Sequence, residues 1–388
     1  YLTNSSDLTI TNNTITVGGD YGIHSYESDN SVVNNNTITG TYSTSIEMRF
    51  CDNCHFEGNT LSGHTVLQLE YSNSLVIHDN QVLDHYSGFQ LYACDSAHVS
   101  SNEIIKPESS MFGNRFDRLI FNDNSSFTVI EDNVFSVEEG NAGYRWMSAM
   151  IISHQSEFKD NTLNYYSPSY PGFNEEVCFL DANESIISDN ILNLSRDRGY
   201  SRLMRTSGSE SKRSVVENNI IDINNNQPTA AYHWDNWYGE ITISGYTDFI
   251  NNSITRTCNS GSTWDGDHEL LVYSGIGNVI SGNTLFDTQN ASTVQFENGY
   301  SNQVFTNNVI HTERGSSAIK VNNSEVLISH NLIESQVRGI EMNSQSGGEI
   351  INNTIVSPNS ADYGIHISNL SAPVVQNNII EGFTNGIY

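Results

Sequence analysis

The cationic and indole side chains of this chain are concentrated in its middle. All four tryptophans lie there with nine of the twelve arginines, although the whole sequence has 16 Lys and Arg against 45 Asp and Glu. Aromatic faces can stack on the apolar faces of sugar rings, and the arginine fork binds carboxylates and sulfates bidentately. We therefore predict a substrate-binding surface made by Arg115, Arg118, Arg145, Trp146, Arg198, Trp234, Trp237 and Trp264. The alternative is that the tryptophans only pack loops and the arginines offset excess acid.

Two reactions on a polysaccharide suit the residue types of this region. β-Elimination needs a cation, either a side chain or Ca²⁺, to neutralise a uronate carboxylate, and a base to take the neighbouring proton. The candidates for it are Arg202, Arg205, His233 and Tyr238. Hydrolysis needs two carboxyl groups beside the scissile bond, and the candidates are Asp181, Asp265, Asp267 and Glu269. Ca²⁺ is thus a candidate cofactor without assigned ligands, and residues 264–269 are also compatible with a solvated loop or a Ca²⁺ clip.

A repeated element must position these residues, and asparagines mark it. Each is followed two places later by an aliphatic or aromatic residue, at intervals of 21 to 33 residues that are longest in the middle of the chain. The series is Asn13, Asn36, Asn59, Asn80, Asn102, Asn133, Asn161, Asn190, Asn219, Asn252, Asn283, Asn308, Asn331, Asn353 and Asn378. Such a period is typical of a solenoid, because a single repeat cannot bury its apolar face alone.

Each repeat contains three short segments in which apolar residues alternate with polar ones. Residues 21–40 show this pattern, and residues 363–380 repeat it. Such segments are too short for helices and indicate strands that stack coil upon coil at roughly 4.8 Å. The sequence predicts an all-β fold, a right-handed parallel β-helix of about fifteen coils. We expect each repeated asparagine to adopt left-handed backbone geometry at a bend and to form a hydrogen-bonded ladder with its equivalents.

Through its repeated Asn-x-aliphatic units the chain resembles the pectate-lyase-like superfamily of parallel β-helix proteins over essentially all of its 388 residues. The resemblance implies the β-helix fold, with a polysaccharide groove on the sheet formed by the first strand of each coil. It does not imply one reaction, because this fold carries lyases, hydrolases, adhesins and fibres. The Asn-Thr-Asp, Asp-Asp and Gly-His-Gly set of polygalacturonases and the Arg-x-Pro-x-x-Arg pattern of pectate lyases are missing, so no specific enzyme family is matched.

The chain is predicted to be one β-helix domain, residues 1–388, with plain coils over 1–102 and 284–388 and loop-elaborated coils over 103–283. The added length falls between the third strand of one coil and the first strand of the next, so these loops should form a wall beside the first-strand sheet. Alternation places the following residues on the solvent face of that sheet: Glu240, Thr242, Glu269, Leu271, Tyr273, Gln295, Glu297 and Lys320.

The net charge of −29 argues against nucleic acid and anionic membranes as partners. No apolar stretch is long enough for membrane insertion, and we expect a secreted or cell-surface protein. The chain starts at Tyr1 without a signal peptide or an evident capping helix, so flanking domains or end-to-end self-association are expected. Cys51 and Cys54 have no second pair for zinc, and stacked core residues or a local bridge are predicted for the cysteines.

These observations favour a secreted protein that cleaves an anionic polysaccharide, either uronate-containing or sulfated, in a groove on the first-strand sheet. Elimination is placed ahead of hydrolysis, because arginines outnumber any symmetric pair of acids there. Two alternatives remain. A glycan-binding or adhesive module would use the same groove without turnover, and a structural stalk or filament subunit would explain a repeat that reaches both ends of the chain.

Overall fold

A computed structural model of the chain describes residues 2–40, 43–106, 120–123, 125–138, 149–167, 177–196, 201–225, 240–258, 269–288, 292–298 and 302–388. For residues 84–86, 106, 121, 123, 149–153, 167, 177–179, 196, 201–202, 225 and 258 it describes the backbone alone. The chain divides into two compact units, Tyr1–Asn193 and Leu194–Tyr388. The single domain expected over residues 1–388 stays a prediction.

Regular structure in the described residues is β-strand, and they include no helix long and apolar enough to cross a membrane. In the first unit the first strands of the coils are Leu2–Thr3, Tyr21–Tyr26, Thr44–Arg49, Ile120–Asp123, Ala149–Ser153 and Val177–Asn183. The second strands are Thr9–Thr11, Val32–Asn34, His55–Glu57, Val76–His78, His98–Ser100, Val129–Glu131, Glu157–Lys159 and Ile186–Ser188. The third strands are Thr14–Val17, Thr37–Gly40, Glu103–Lys106, Val134–Glu138 and Thr162–Ser167. Thr60–Glu70 and Gln81–Tyr92 each join a third strand to the next first strand, and Ile191–Arg196 contains the boundary between the units.

The second unit is built in the same way. Its first strands are Ser201–Ser207, Ile241–Ser244, Leu271–Ser274, Val294–Glu297, Ser317–Asn322 and Arg338–Asn343. The second strands are Ser214–Glu217, Thr247–Ile250, Val279–Ser281, Gln303–Thr306, Glu325–Ser329, Gly347–Ile351 and Val374–Gln376. The third strands are Ile220–Asn225, Ser253–Cys258, Thr284–Asp287, Val309–Thr312 and Leu332–Ser335, and Thr354–Ile367 and Ile379–Ile387 are joined strands.

Strands of successive coils pair in parallel and in register, which confirms the predicted parallel β-helix. The inward residues stack into continuous apolar columns, such as Val33, Phe56 and Ile77 in the first unit. The expectation that Leu271 and Tyr273 face solvent was wrong. Both are fully buried and stand in register with buried residues of the preceding strand. Because strand side chains alternate, the side chain of Val272 points to the opposite face of the strand from Leu271 and Tyr273, where it too is buried.

The repeated asparagines form the predicted ladder in each unit. Each Nδ2 donates to the Oδ1 of the asparagine one coil further on, at 2.9–3.2 Å from Asn13 to Asn190 and at 2.9–3.1 Å from Asn219 to Asn378. The same Oδ1 also accepts the backbone N–H of the preceding asparagine. In the middle coils Nδ2 further donates to a backbone carbonyl, as Asn252 does to Val216. These bonds satisfy polar groups at a bend where a β ladder is interrupted.

The backbone geometry of the bend differs from the prediction. The left-handed conformation belongs to the residue before each ladder asparagine, for example Asn35, Asp79, Asn251 and His330, at φ of 54–57°. The ladder asparagines themselves do not have positive φ. Two successive residues therefore have different roles at the bend. The first residue turns the chain with its left-handed backbone. The second is the ladder asparagine, whose amide bonds to the neighbouring coils.

The cysteines whose side chains are described are free thiols in the core, so the predicted stacking is confirmed and no local bridge forms. Cys51, Cys54 and Cys94 are fully buried. The backbone N–H of Cys51 donates to Ser72 Oγ at 2.9 Å, and that of Cys94 donates to Ser125 Oγ at 2.8 Å. Burial raises the pKa of Cys94 to about 11. Small Ser and Cys side chains thus alternate in a second ladder at the bend between the first and second strands.

One ion pair lies inside the second unit. Arg256 and Asp287 are both fully buried, and they stand in register on adjacent third strands. The guanidinium donates to the carboxylate twice, from Nε at 2.9 Å and from Nη2 at 2.6 Å. Thr293 Oγ1 donates to the same carboxylate at 3.1 Å. Neither charge is left without a partner in the low-dielectric core.

We expect Asn252→Ala to lower the free energy of unfolding by about 1–3 kcal/mol, because it leaves buried donors and acceptors of the ladder without partners. Asn251→Gly is the matched control. Asn251 is exposed with φ of 55°, which glycine tolerates. Urea unfolding followed by circular dichroism measures both variants. Equal stability of the two variants would contradict a structural role for the ladder amide.

We expect Arg256→Met or Asp287→Leu alone to destabilise the protein by about 3–5 kcal/mol, because either change leaves an unpaired charge in the core. The double variant Arg256→Met with Asp287→Leu should recover most of this loss, since both charges of the pair are then removed. Thermal and urea unfolding of the three variants test the expectation. Additive losses in the double variant would show that the residues do not act as a pair.

Candidate functional site

Three of the predicted catalytic residues have described side chains, namely Asp181, Arg205 and Glu269. Of Arg202 the structure describes the backbone only, within the strand Ser201–Ser207. The remaining predicted site residues lie outside the described residues: Arg115, Arg118, Arg145, Trp146, Arg198, His233, Trp234, Trp237, Tyr238, Trp264, Asp265 and Asp267. Their roles stay predictions.

Asp181 lies in the first unit, near the end of the strand Val177–Asn183. Its side chain is buried, and its Oδ1 accepts a long hydrogen bond of 3.4 Å from Asn183 Nδ2. Arg205 and Glu269 both lie in the second unit.

Arg205 is exposed and begins an outward row on the first-strand sheet of the second unit. Cross-strand register carries this row from one strand to the next. Its members are Arg205, Thr242, Val272, Gln295, Lys320, Glu341 and His366. Thr242, Val272, Gln295 and Glu341 are buried. The expectation that Glu240, Thr242 and Gln295 are exposed to solvent was therefore wrong. Parallel neighbours in a sheet are about 4.8 Å apart, so Lys320 has Gln295 on one side and Glu341 on the other.

Glu269 precedes the strand Leu271–Ser274 and is 7% exposed. Burial raises the pKa of its carboxyl to about 7. The charges of Lys320 and Arg256 oppose this shift, and the charge of Glu297 adds to it. Burial also raises the pKa of Glu297, against the charge of Lys320 and a hydrogen bond that Gln295 Nε2 donates to Glu297 Oε1. Burial thus raises the pKa of both carboxyls, Glu269 and Glu297, and the charge of Lys320 opposes the shift in each.

At Glu297 and Lys320 the surface opens into a groove of about 1100 Å³ within the second unit. Its lining is Glu297, Asn298, Lys320, Asn322, Asn323, Glu341, Asn343, Ser344, Gln345, Asn369 and Leu370. Glu341 is held at its edge by Arg338 Nη1 at 2.9 Å and by Asn343 Nδ2 at 3.1 Å, both on Oε1. The groove is therefore rich in amides, with charges of both signs.

The search for binding residues by tryptophan and arginine content missed this amide lining. A signal for part of it was present in the sequence, because Glu297, Asn322 and Asn343 are spaced by 25 and 21 residues, which match the repeat interval. The structure places them in one register column. The described residues contain no group of three or more His, Cys, Asp or Glu side chains arranged to hold a metal ion.

Residues 1–162 and 240–388 match the family model described as "Right handed beta helix region". The chain belongs to this right-handed β-helix family. No curated protein matches it. Two similar solved structures are A-modules of mannuronan C-5 epimerases from Azotobacter vinelandii. AlgE6 is 13% identical with a TM-score of 0.29, over 78% of this chain and 87% of that one. AlgE4 is 12% identical with a TM-score of 0.28, over 95% and 89%. Likenesses this low carry no argument about activity.

The types of residue found here are suited to proton transfer and to anion binding. A carboxyl with a pKa of about 7 is present in both protonation states at neutral pH, so it can donate a proton or accept one. Lys320 can contact a carboxylate or sulfate of a ligand, and the groove amides can pair with hydroxyl groups. Glu269 was among the sequence candidates, and Lys320 was expected on this face.

We expect the contribution of the Glu269 carboxyl to the stability of this β-helix to fall as the pH rises from about 4.5 to 7. The unfolded Glu269 carboxyl titrates near 4.3, so in this window the folded state holds the proton and the unfolded state does not. The effect of this one group should be about 3 kcal/mol. Urea unfolding at several pH values measures it.

Glu269→Gln should remove this part of the pH dependence, because glutamine does not titrate. Glu325→Gln is the matched control, since Glu325 is exposed in the same unit, and it should keep the wild-type slope. If Glu269→Gln also keeps the wild-type slope, the raised pKa of Glu269 is contradicted.

Proposed function

We propose that this right-handed β-helix binds an anionic polysaccharide on the outward row of its second unit and cleaves it there, with Glu269 as the proton-transferring group. The observation that carries the proposal is the buried Glu269 carboxyl with a pKa of about 7, on which the charge of Lys320 acts. A structural stalk has no need of a carboxyl held in this state, because burying an ionisable group costs stability. Such perturbed groups are typical of functional sites.

Binding is assigned to Lys320 and the groove amides. Lys320 lies in the outward row and lines the groove, so it can contact a uronate carboxylate or a sulfate. Asn322 and Asn343 supply donors and acceptors for sugar hydroxyls. Glu341 is already paired with Arg338, so its charge competes less with the substrate for Lys320.

Of the two reactions, the described residues favour hydrolysis. Hydrolysis requires one carboxyl that holds a proton at neutral pH and a second that acts as base or nucleophile. Glu269 fits the first role, and Glu297 is a candidate for the second, since its charge acts on Glu269. Elimination was placed first because of arginines that mostly lie outside the described residues. An extracellular or cell-surface location is part of this proposal, since a net charge of −29 suits solubility outside the cell.

The test is a turnover assay on soluble uronate-containing and sulfated polysaccharides, with and without Ca²⁺. Reducing ends report both reactions, and ultraviolet absorbance of an unsaturated product reports elimination alone. Glu269→Gln should lower kcat by about 100-fold or more at unchanged KM, and Lys320→Ala should raise KM. Wild-type activity should fall above about pH 7 as Glu269 ionises.

Glu325→Gln is again the matched control and should leave turnover unchanged. Affinity electrophoresis on the same polysaccharides separates the alternatives. Retardation without turnover would support a glycan-binding module, and neither retardation nor turnover would favour a structural role. Full activity of Glu269→Gln would contradict the assigned proton transfer.

A further inference from the structure

The first unit carries an exposed aromatic surface that the site described above does not use. Tyr26, Phe50, Tyr71 and Tyr92 project from four consecutive coils at the bend after the first strand. The distances between neighbouring ring centroids are 5.2, 5.1 and 5.5 Å. Each side chain is between 37% and 46% exposed. We call these four residues the aromatic stripe.

The backbone places two of these rings at a conformational cost. Phe50 and Tyr71 have φ of 54° and 52°, a left-handed geometry that is unfavourable for a bulky residue by about 1–2 kcal/mol. In the two flanking coils the residues with this geometry are Glu27 and Ala93, and the aromatic ring comes from the residue before, Tyr26 or Tyr92. The aromatic ring is therefore carried by the left-handed residue in two coils and by the residue before it in the other two, yet all four rings lie on one surface. Core packing does not account for this, because the rings are exposed.

The rings do not form one closed stack. Phe50 and Tyr71 are parallel within 9°, whereas Tyr26 and Tyr92 are turned by 69° and 87° relative to their neighbours. The planes of the two outer rings are therefore nearly perpendicular to those of the inner pair. Such an arrangement leaves both ring faces and ring edges for a ligand that extends over several coils.

Planar polar side chains flank the stripe on both sides. On the strand side Arg49 Nε lies 2.8 Å from Glu47 Oε1 and 3.1 Å from Glu70 Oε2, and Gln68 Nε2 donates to Glu70 Oε1 at 2.7 Å. On the side of the second strand, the half-buried side chain of Asp52 and the exposed side chains of Asn73 and Asp95 stack coil upon coil. Asp52 Oδ1 accepts the backbone N–H of Asn73 at 2.7 Å, and Asn73 Oδ1 accepts that of Asp95 at 3.0 Å.

We propose that the aromatic stripe binds a neutral polysaccharide that runs along the coils. Carboxylate and amide oxygens on both sides can accept hydrogen bonds from sugar hydroxyls, while the rings contact the apolar faces of the sugars. The carboxylates exclude an anionic chain, and Arg49 is already paired with Glu47 and Glu70. A protein partner is less suited, because the cores of protein interfaces are depleted in charged residues. This site stands independently of the cleavage proposed for the second unit.

The test is affinity electrophoresis of the intact chain in gels containing a soluble β-1,4-glucan, a β-1,3-glucan, a galactomannan or a xylan, with polygalacturonate as the anionic comparison. At least one neutral polysaccharide should retard the wild type. The double variants Tyr26→Ala with Tyr92→Ala and Phe50→Ala with Tyr71→Ala should each weaken that binding by about tenfold or more. Alanine suits the left-handed positions, since Ala93 already occupies one.

Phe127→Ala is the matched control. Phe127 is an exposed aromatic residue of the same unit with φ of 57°, and it lies at the other end of its bend. It should bind like the wild type, as should Glu269→Gln, whose loss of turnover reports on the other site. Thermal unfolding verifies that the variants fold. Absence of binding to every neutral polysaccharide, or unchanged binding by both double variants, would overturn the proposal. Self-association that only the stripe variants abolish, without glycan binding, would also overturn it and identify a second copy as the partner.

Discussion

The hydrogen-bonded column of asparagine amides is the constraint on which the rest of each unit depends. At the bend between the second and third strands the chain changes direction, so the β ladder cannot satisfy every backbone group there. One asparagine per coil restores the missing partners, because its Oδ1 accepts two hydrogen bonds from the previous coil and its Nδ2 donates to the next. A residue that serves the coils on both sides of it fixes their register. The coils can then differ in length only in segments away from the asparagine ladder.

Because the register is fixed, the side chains that meet on the surface of a β-helix come from equivalent positions of successive coils and not from one short sequence motif. Gln295, Lys320, Glu341 and His366 follow one another at intervals of 21 to 25 residues in sequence, yet each is a direct neighbour of the next on one sheet. The inward columns obey the opposite requirement and are apolar. Where charge enters the core, as at Arg256, a partner in register on the adjacent coil neutralises it.

The accuracy of the sequence predictions follows from this difference. The ladder positions were predictable, because asparagine at one spacing has one structural explanation, whereas the left-handed residue was misplaced by one position. Asn251 and Asn252 are chemically identical, and the local backbone decides which one adopts the left-handed geometry. Alternation similarly failed at Leu271 and Tyr273, because the strand begins only at Leu271 and Glu269 lies before it. The aromatic stripe was missed because its rings stand nine or ten residues before the ladder asparagines, so no single spacing marks it.

The sequence by itself determined the architecture: parallel coils, a bend at each repeated asparagine, and an apolar interior. It could do so because each coil carries its own local pattern, and the repetition confirms that pattern many times. The tertiary structure decided which side chains share a surface and how far each is removed from water. Glu269 was one acid among several in the sequence, and burial beneath its neighbours raises its pKa to about 7. Burial and proximity are properties of the stacked coils, and no single repeat contains them.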